Sequence, residues 1–244
     1  MSNFGQQPYY QRPMPLDYGT EAGSPAVASF FNAVYAWMCA GLALTAVIAY
    51  WVAGHPTILT QVLGGPVLIM LFIAQIVLVV VISAAVRRIN ATVATGLFLL
   101  YAALNGLTLS GIFLVYTNAT IAGAFIASAT MFGVMSVYGM LTHADLSGLG
   151  KIAFMALIGL IVASVVNFFL ASSGLAWLIS YAGVAIFAVL TAYDTQKLRQ
   201  FALSTANDQA FASRIAVSGA LMLYLDFLNL FLFLLQIMGG NRRR

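Results

Sequence analysis

The sequence predicts an all-α membrane protein, a bundle of seven transmembrane helices. Three observations carry this. The chain of 244 residues is 62% hydrophobic and only 7% charged, with a mean hydropathy of +0.99. Soluble domains carry about 25% charged residues, so a water-soluble fold of this composition would have little to cover its surface. The apolar residues fall into seven runs, each near the roughly 20 residues that span a bilayer as a helix. The basic residues gather at the ends of alternate runs, as the positive-inside rule expects.

The runs justify themselves in order. The first covers about Phe30 to Ala53 and is broken by Gly54, His55 and Pro56. The second covers about Pro66 to Val86 and stops at Arg87 and Arg88. The third covers Ala91 to Tyr116, and the fourth Ala119 to Leu141, followed by "THADLSGLGK". The fifth covers Ile152 to Ala171 and ends at "SSG". The sixth covers Leu175 to Tyr193, its helix continuing toward Gln200, and the seventh covers Ile215 to Met238, before "GGNRRR". A membrane barrel would show shorter segments of alternating polarity. These runs are long and continuously apolar.

Residues 1–28 are polar and rich in Gln, Pro, Tyr and Gly, and read as a disordered tail. They show no basic region followed by a short apolar run, so they do not read as a cleavable signal. Residues 29–240 form the membrane domain, and residues 241–244 a basic C-terminal tail. Cys39, alone in the chain, cannot form an intrachain disulfide.

Orientation follows from charge. The N-terminal tail and the connections after runs two, four and six hold Arg12, Arg87, Arg88, Lys151, Lys197, Arg199 and Arg214. The connections after runs one, three and five hold no Lys or Arg. The asymmetry places the N-terminus in the cytoplasm. Arg242, Arg243 and Arg244 then fall outside if run seven crosses fully, which is the favoured reading; a re-entrant run seven would return them inside. Basic residues at span ends account for the net charge of +4; no nucleic-acid patch is present.

Charge at membrane depth is where chemistry is expected. An ionised side chain at the centre of a membrane helix costs at least about 2.5–3.5 kcal/mol, and such residues usually face the bundle interior and mark an ion path, a proton relay or a charge partner. The chain has six acidic residues. Asp17 and Glu21 are in the tail, and Asp145 and Asp208 in connections. Asp194 in "VLTAYDTQKLRQ" and Asp226 in "LMLYLDFLNLFLFLLQ" remain, on consecutive helices. At 1.5 Å per residue Asp226 lies roughly 16 Å into run seven, and Asp194 roughly 9 Å from a helix end at Gln200. One turn of slip, or tilt, brings them together. Two close carboxyls in a dry site cannot both ionise cheaply and titrate as a unit. Ionised, they offer oxygen ligands suited to calcium, although that ion takes 6–8 oxygens. Alternatively, Asp194 is a solvated helix-end residue balanced by Lys197, and Asp226 a structural hydrogen-bonding group.

Gln75, Asn105, Asn167, Asn229 and Gln236 lie inside runs, where amides glue helices or line a wet cavity. His55 and His143 fall on opposite sides and suggest no metal site. Paired aspartates also raise an intramembrane aspartyl protease, in which they would activate water. The Gly-x-Gly-Asp motif of those enzymes is absent, since Leu223, Tyr224 and Leu225 precede Asp226. The chain is therefore not read as an enzyme.

"AYDTQKLR" and "YLDFLNLFLFLLQI", together with "RRINATVATGLFLLYAALNGLTLSGIF", carry a resemblance that covers nearly everything from Phe30 onward. The chain resembles the Bax inhibitor, or transmembrane Bax inhibitor motif, family, in its bacterial inner-membrane branch. The resemblance implies a seven-helix bundle with the C-terminal helix enclosed by the others. It implies a passive calcium leak that responds to pH, with Asp194 and Asp226 as the hydrogen-bonded sensor and transient calcium ligands. It implies an arginine latch at the end of run two, which Arg87 or Arg88 would supply. No tightly bound cofactor is implied. Bacterial relatives are also linked to a membrane-bound AAA protease, as substrate or modulator.

Overall fold

The computed structural model describes residues 25–85, 90–205 and 209–240. Arg87 and Arg88 lie outside them, as do residues 1–24, Asp208 and the three C-terminal arginines. Among the described residues no strand occurs. The helices are α1 (Pro25–Ala53), α2 (Pro56–Leu63), α3 (Gly65–Ala85), α4 (Ala91–Leu109), α5 (Ile112–Val115), α6 (Asn118–Leu141), α7 (Ser147–Leu170), α8 (Ser173–Ser204) and α9 (Gln209–Gly240).

Seven stretches are long and apolar enough to cross a membrane. They match the seven expected runs, with differences at the ends. The first break is placed by Pro56, which sits in the first turn of α2, where its missing N–H costs nothing. The sequence reading had taken this region for a plain connection. Instead α2 buries Leu59 and Val62 against Val52. The third span is not one continuous helix. It breaks at Ser110–Gly111, where the Ser110 hydroxyl turns back to the Leu107 carbonyl at 2.6 Å and competes with the helical ladder. Helix α8 does run past Tyr193, as far as Ser204. Helix α9 is one unbroken rod of 32 residues, about 48 Å long by its rise, so the re-entrant alternative for run seven falls.

Side-chain caps start the helices without help from charge. The Asn90 side chain accepts from the Val93 N–H, Thr117 from Thr120 and Ser172 from Leu175. The α7–α8 turn is tight: Ala171 adopts the left-handed conformation at φ 49°, and the Ser172 N–H is taken by the Asn167 side chain at 3.1 Å.

The C-terminal helix is central. Helix α9 packs against α8, α1, α6 and α4. Residues all round it are buried, among them Ala220, Leu223, Tyr224, Phe227 and Leu230, as expected of a helix apolar on every side that is enclosed by others. Helices α3 and α7 lie at the edge and turn Met70, Ile76, Met155 and Ile161 outward to the lipid.

Lipid is as apolar as leucine, so close approach and hydrogen bonds fix how helices dock. Thr45 of α1 donates to the Ala102 carbonyl of α4 at 2.8 Å, and the Tyr224 hydroxyl of α9 donates to Thr45 at 2.7 Å. The Tyr224 ring stands edge-on to Phe98 and Tyr101, with centroids 5.5 and 5.9 Å away. One side chain thus ties α1, α4 and α9 together. Across the bundle, Gly139 of α6 lies so close to α8 that a Cβ would overlap the Ala192 carbonyl.

The Gly139 contact is directly testable. G139A should lower the thermal midpoint in detergent, by the equivalent of about 1–3 kcal/mol, because backbone must shift to admit the methyl. G133A, on the same helix but facing open space, should leave the midpoint unchanged.

Candidate functional site

Helices α8 and α9 form an antiparallel hairpin. Its register is read from Gly183 against Phe233 and from Ser180, whose hydroxyl lies 2.9 Å from the Gln236 side-chain oxygen. That register brings Asp194 of α8 beside Asp226 of α9, with the two carboxyls within hydrogen-bonding reach. Asp194 lies ten residues before Ser204 and Asp226 seventeen residues after Gln209, about 15 and 26 Å along their axes. The unequal distances are reconciled by the register, in which the start of α9 overhangs the end of α8.

Asp226 is 5% exposed, and its Oδ2 has no hydrogen-bond partner. Two ionised carboxyls are both acceptors and cannot hydrogen-bond each other. A proton between them converts one into a donor and relieves an otherwise costly pair of buried charges. Lys197, one turn along α8, is the nearby cation acting on Asp194, and its ammonium sits 5.9 Å from the Tyr193 ring centroid. Asp194 is half-buried and ten residues before the end of α8, so it is not a helix-end residue, although Lys197 does balance it as the alternative reading held.

Cavities flank the pair along the bundle axis. The one at the α6–α7 connection, termed inner after the orientation expected from the charge asymmetry, is about 360 Å³ and is lined by His143, Asp145, Gln196, Arg199 and Gln200 among others. Arg199 is buried rather than a surface topology marker. The outer one, about 970 Å³, lies between the ends of α7, α8 and α9 and is lined by Asn167, Trp177, Ser180 and Gln236 among others. Between the outer cavity and Asp226 the helices meet through apolar side chains. Phe187 stacks on Phe233 at 5.9 Å, beside the buried Leu190 and Leu230.

Three of the five intramembrane amides take the expected roles, and two do not. Gln75 glues α3 to α4, donating to the Leu104 carbonyl at 3.0 Å. Asn167 and Gln236 line the outer cavity. Asn105 and Asn229 donate to carbonyls of their own helices. Among the described residues no group of three His, Cys, Asp or Glu side chains could hold a metal. His55 contacts the Trp51 carbonyl at 2.7 Å and plays no part in the site.

The sequence reading missed the polar groups that hold Asp194. Thr195 donates to the Thr191 carbonyl at 2.8 Å, so it must accept from Ser136 of α6 at 3.0 Å, which in turn accepts from Tyr35 of α1 at 2.5 Å. Gln196 bonds the backbone of the α6–α7 connection. The four-residue spacing Thr191–Thr195 and the eight-residue spacing Ser128–Ser136, on segments otherwise apolar, were the only signal available.

A family model described as "Inhibitor of apoptosis-promoting Bax1" matches residues 27–243. The inner membrane protein YbhL of Escherichia coli K12 is 49% identical over 216 residues, covering 88% of this chain and 92% of its own length. An uncharacterized protein of Deinococcus radiodurans is 48% identical over 217 residues, covering 89% and 92%. An uncharacterized membrane protein of Streptococcus pyogenes serotype M3 is 40% identical over 216 residues, covering 87% and 93%. The family match takes in every membrane span, and the chain belongs to the Bax inhibitor family of integral membrane proteins.

Proposed function

We propose that this protein is a passive, pH-sensitive cation leak of the bacterial inner membrane, with calcium as a permeant ion and the N-terminus in the cytoplasm. The observation that carries the reading is the carboxyl pair joining α8 to α9 inside the bundle, between an inner and an outer cavity. With one shared proton the pair holds the two helices together, and the Phe187–Phe233 layer closes the way to the outer cavity. Without that proton two like charges face each other. At about 4 Å their repulsion is of order 4 kcal/mol in a protein-like dielectric, enough to part the hairpin. The freed oxygens then serve as transient calcium ligands. Two carboxylates supply too few of the 6–8 oxygens calcium takes to retain it, which suits passage rather than storage. Arg87 or Arg88 is retained as the proposed latch of the closed state. The protein is proposed to have no enzymatic activity.

Other groups of the inner end must be separated from the pair. Asp145 is exposed, and the Ser147 backbone N–H and hydroxyl, at 2.9 and 2.8 Å, hold its carboxyl below the usual carboxylate range, with Lys151 adding to the effect. A lowered folded value means its capping contribution is complete above the ordinary carboxylate pKa of about 4 and is lost only as pH falls through the lowered value. Asp145 therefore stays ionised between pH 6 and 8. His143 also lines the inner cavity.

Calcium entry into proteoliposomes loaded with a fluorescent indicator tests the reading. Wild-type flux should rise from pH 6 to 8, by no more than about tenfold per pH unit for a single controlling proton. D194N, D226N and the double variant should lose this dependence. D145N and H143Q should keep it. Equal flux and equal pH response in all variants, with folded protein confirmed, would sink the gate; no flux in any of them would favour a non-conducting regulator or substrate of a membrane-bound AAA protease. Cysteine labelling from either side of oriented vesicles, with single cysteines at His143 and Gly174 in a C39S background, should mark His143 from the cytoplasmic side and Gly174 from the outer side.

A further inference from the structure

The turn of α8 that carries Asp194 is held on its other sides by the α6–α7 hairpin. Ala192 meets Gly139 of α6 backbone to backbone. The Tyr193 ring covers Gly150 of α7, where a Cβ would come within 2.5 Å of the ring. Thr195 is bonded to Ser136 of α6 at 3.0 Å. The Gln196 Nε2 donates to the Ala144 carbonyl at 2.8 Å, and its Oε1 accepts from the Leu146 N–H at 2.9 Å. Asp194 of this turn meets Asp226 of α9.

We propose that residues 136–150 form a collar that positions Asp194, with Gln196 as the positioning residue that fastens the α6–α7 connection to it. The proposal rests on the reading of the aspartate pair as a titrating element, and goes beyond it by coupling that element to a loop at the inner face.

The Gln196 side chain pairs with residues 144 and 146 as the edge of a neighbouring strand would, using a donor and an acceptor at once. No other side chain of this length offers both. Asparagine falls one methylene short, glutamate keeps only the acceptor, and methionine keeps the shape with neither. The Tyr35–Ser136–Thr195 chain ends on a carbonyl with each hydroxyl proton used. It fastens the helices and does not conduct a proton to Asp194. Loop and pair are thus parts of one body. When α8 moves relative to α9, the connection moves with it and reshapes the inner cavity that it lines with Arg199, Gln200 and Leu203.

The titratable and charged groups around Asp194 are Tyr193, Lys197 and Arg199 on its own helix, and Asp226 and Tyr224 on α9. Among the described residues, Tyr35 on α1, Tyr101 on α4, His143 and Asp145 in the connection, Lys151 on α7 and Arg214 on α9 lie on the surrounding elements, and Arg87 or Arg88 joins them as the proposed latch. Q196M alters none of them, so a change in titration would come from position.

The test compares wild type, Q196M, Q196N and S180A in lipid, with two readouts that need no ion flux. One is the pH dependence of the protonated-carboxyl infrared band that disappears in D194N or D226N. The other is amide exchange across residues 142–146. Q196M should speed exchange at Leu146 by about tenfold, the effect of losing one modest hydrogen bond, and move the midpoint of the carboxyl band by about one pH unit. Q196N, neutral but one methylene short, should change both in the same direction, and carries the test if Q196M does not fold. S180A, which removes a contact at the far end of the same hairpin, should change neither. Faster exchange with an unmoved midpoint would make the clamp purely structural and overturn the proposal, as would unchanged exchange. A wild-type band that does not titrate would instead defeat the underlying reading of the pair. A wild type that titrates without leaking would defeat only the channel.

Discussion

A carboxyl enclosed at the heart of a membrane bundle is the constraint on which the rest of this structure depends. Asp226 sits on the one helix surrounded by the others, away from lipid and from bulk water. Neither solvent nor an adjacent arginine on its own helix can meet the cost of that position. The partner is Asp194, and the demand that these side chains meet fixes the register of α8 against α9. It also explains why a chain with so few charges spends an acidic residue on each of its last two helices.

Around that pair the bundle is held by contacts that work in lipid. Apolar side chains gain little by leaving lipid for a neighbouring helix, so docking relies on backbone approach and hydroxyl bonds. Tyr224 pins α9 to α1 and α4 through Thr45. Ser136 and Thr195 join α6 to α8, and Tyr35 extends that chain to α1. Gly139 lets two backbones touch. These points lie within a few residues of Asp194 or Asp226, so the most closely specified packing surrounds the acidic pair, while α3 and α7 keep broad faces to the lipid.

Function is proposed to follow from the contrast between the two sides of the α8 turn. Toward α9 the contact is a carboxyl pair whose sign of interaction changes with one proton, from hydrogen bond to repulsion. Toward α6 and α7 it is a set of neutral hydrogen bonds and close packing that pH does not alter. A switchable contact on one side and a fixed one on the other give α8 a direction in which to move, together with the inner connection.

The class, the seven spans and the acidic residues at depth were legible in the sequence. Hydrocarbon thickness and the cost of buried charge act on each segment separately, so each can be read without knowing its neighbours. The first break was legible where Pro56 spoke locally, and the one at Ser110 was illegible, where a hydroxyl turned on its own backbone. Which helix stands at the centre was not written in hydropathy, because α3 and α9 are both apolar all round while one faces lipid and the other protein. That order entered the sequence reading only through family resemblance. The meeting of Asp194 with Asp226, the burial of Arg199, and the grip of Thr195 and Gln196 on α6 and its connection were decided by tertiary structure. Each depends on the rotation and register of one helix against another, and those are set by contacts between residues tens of positions apart.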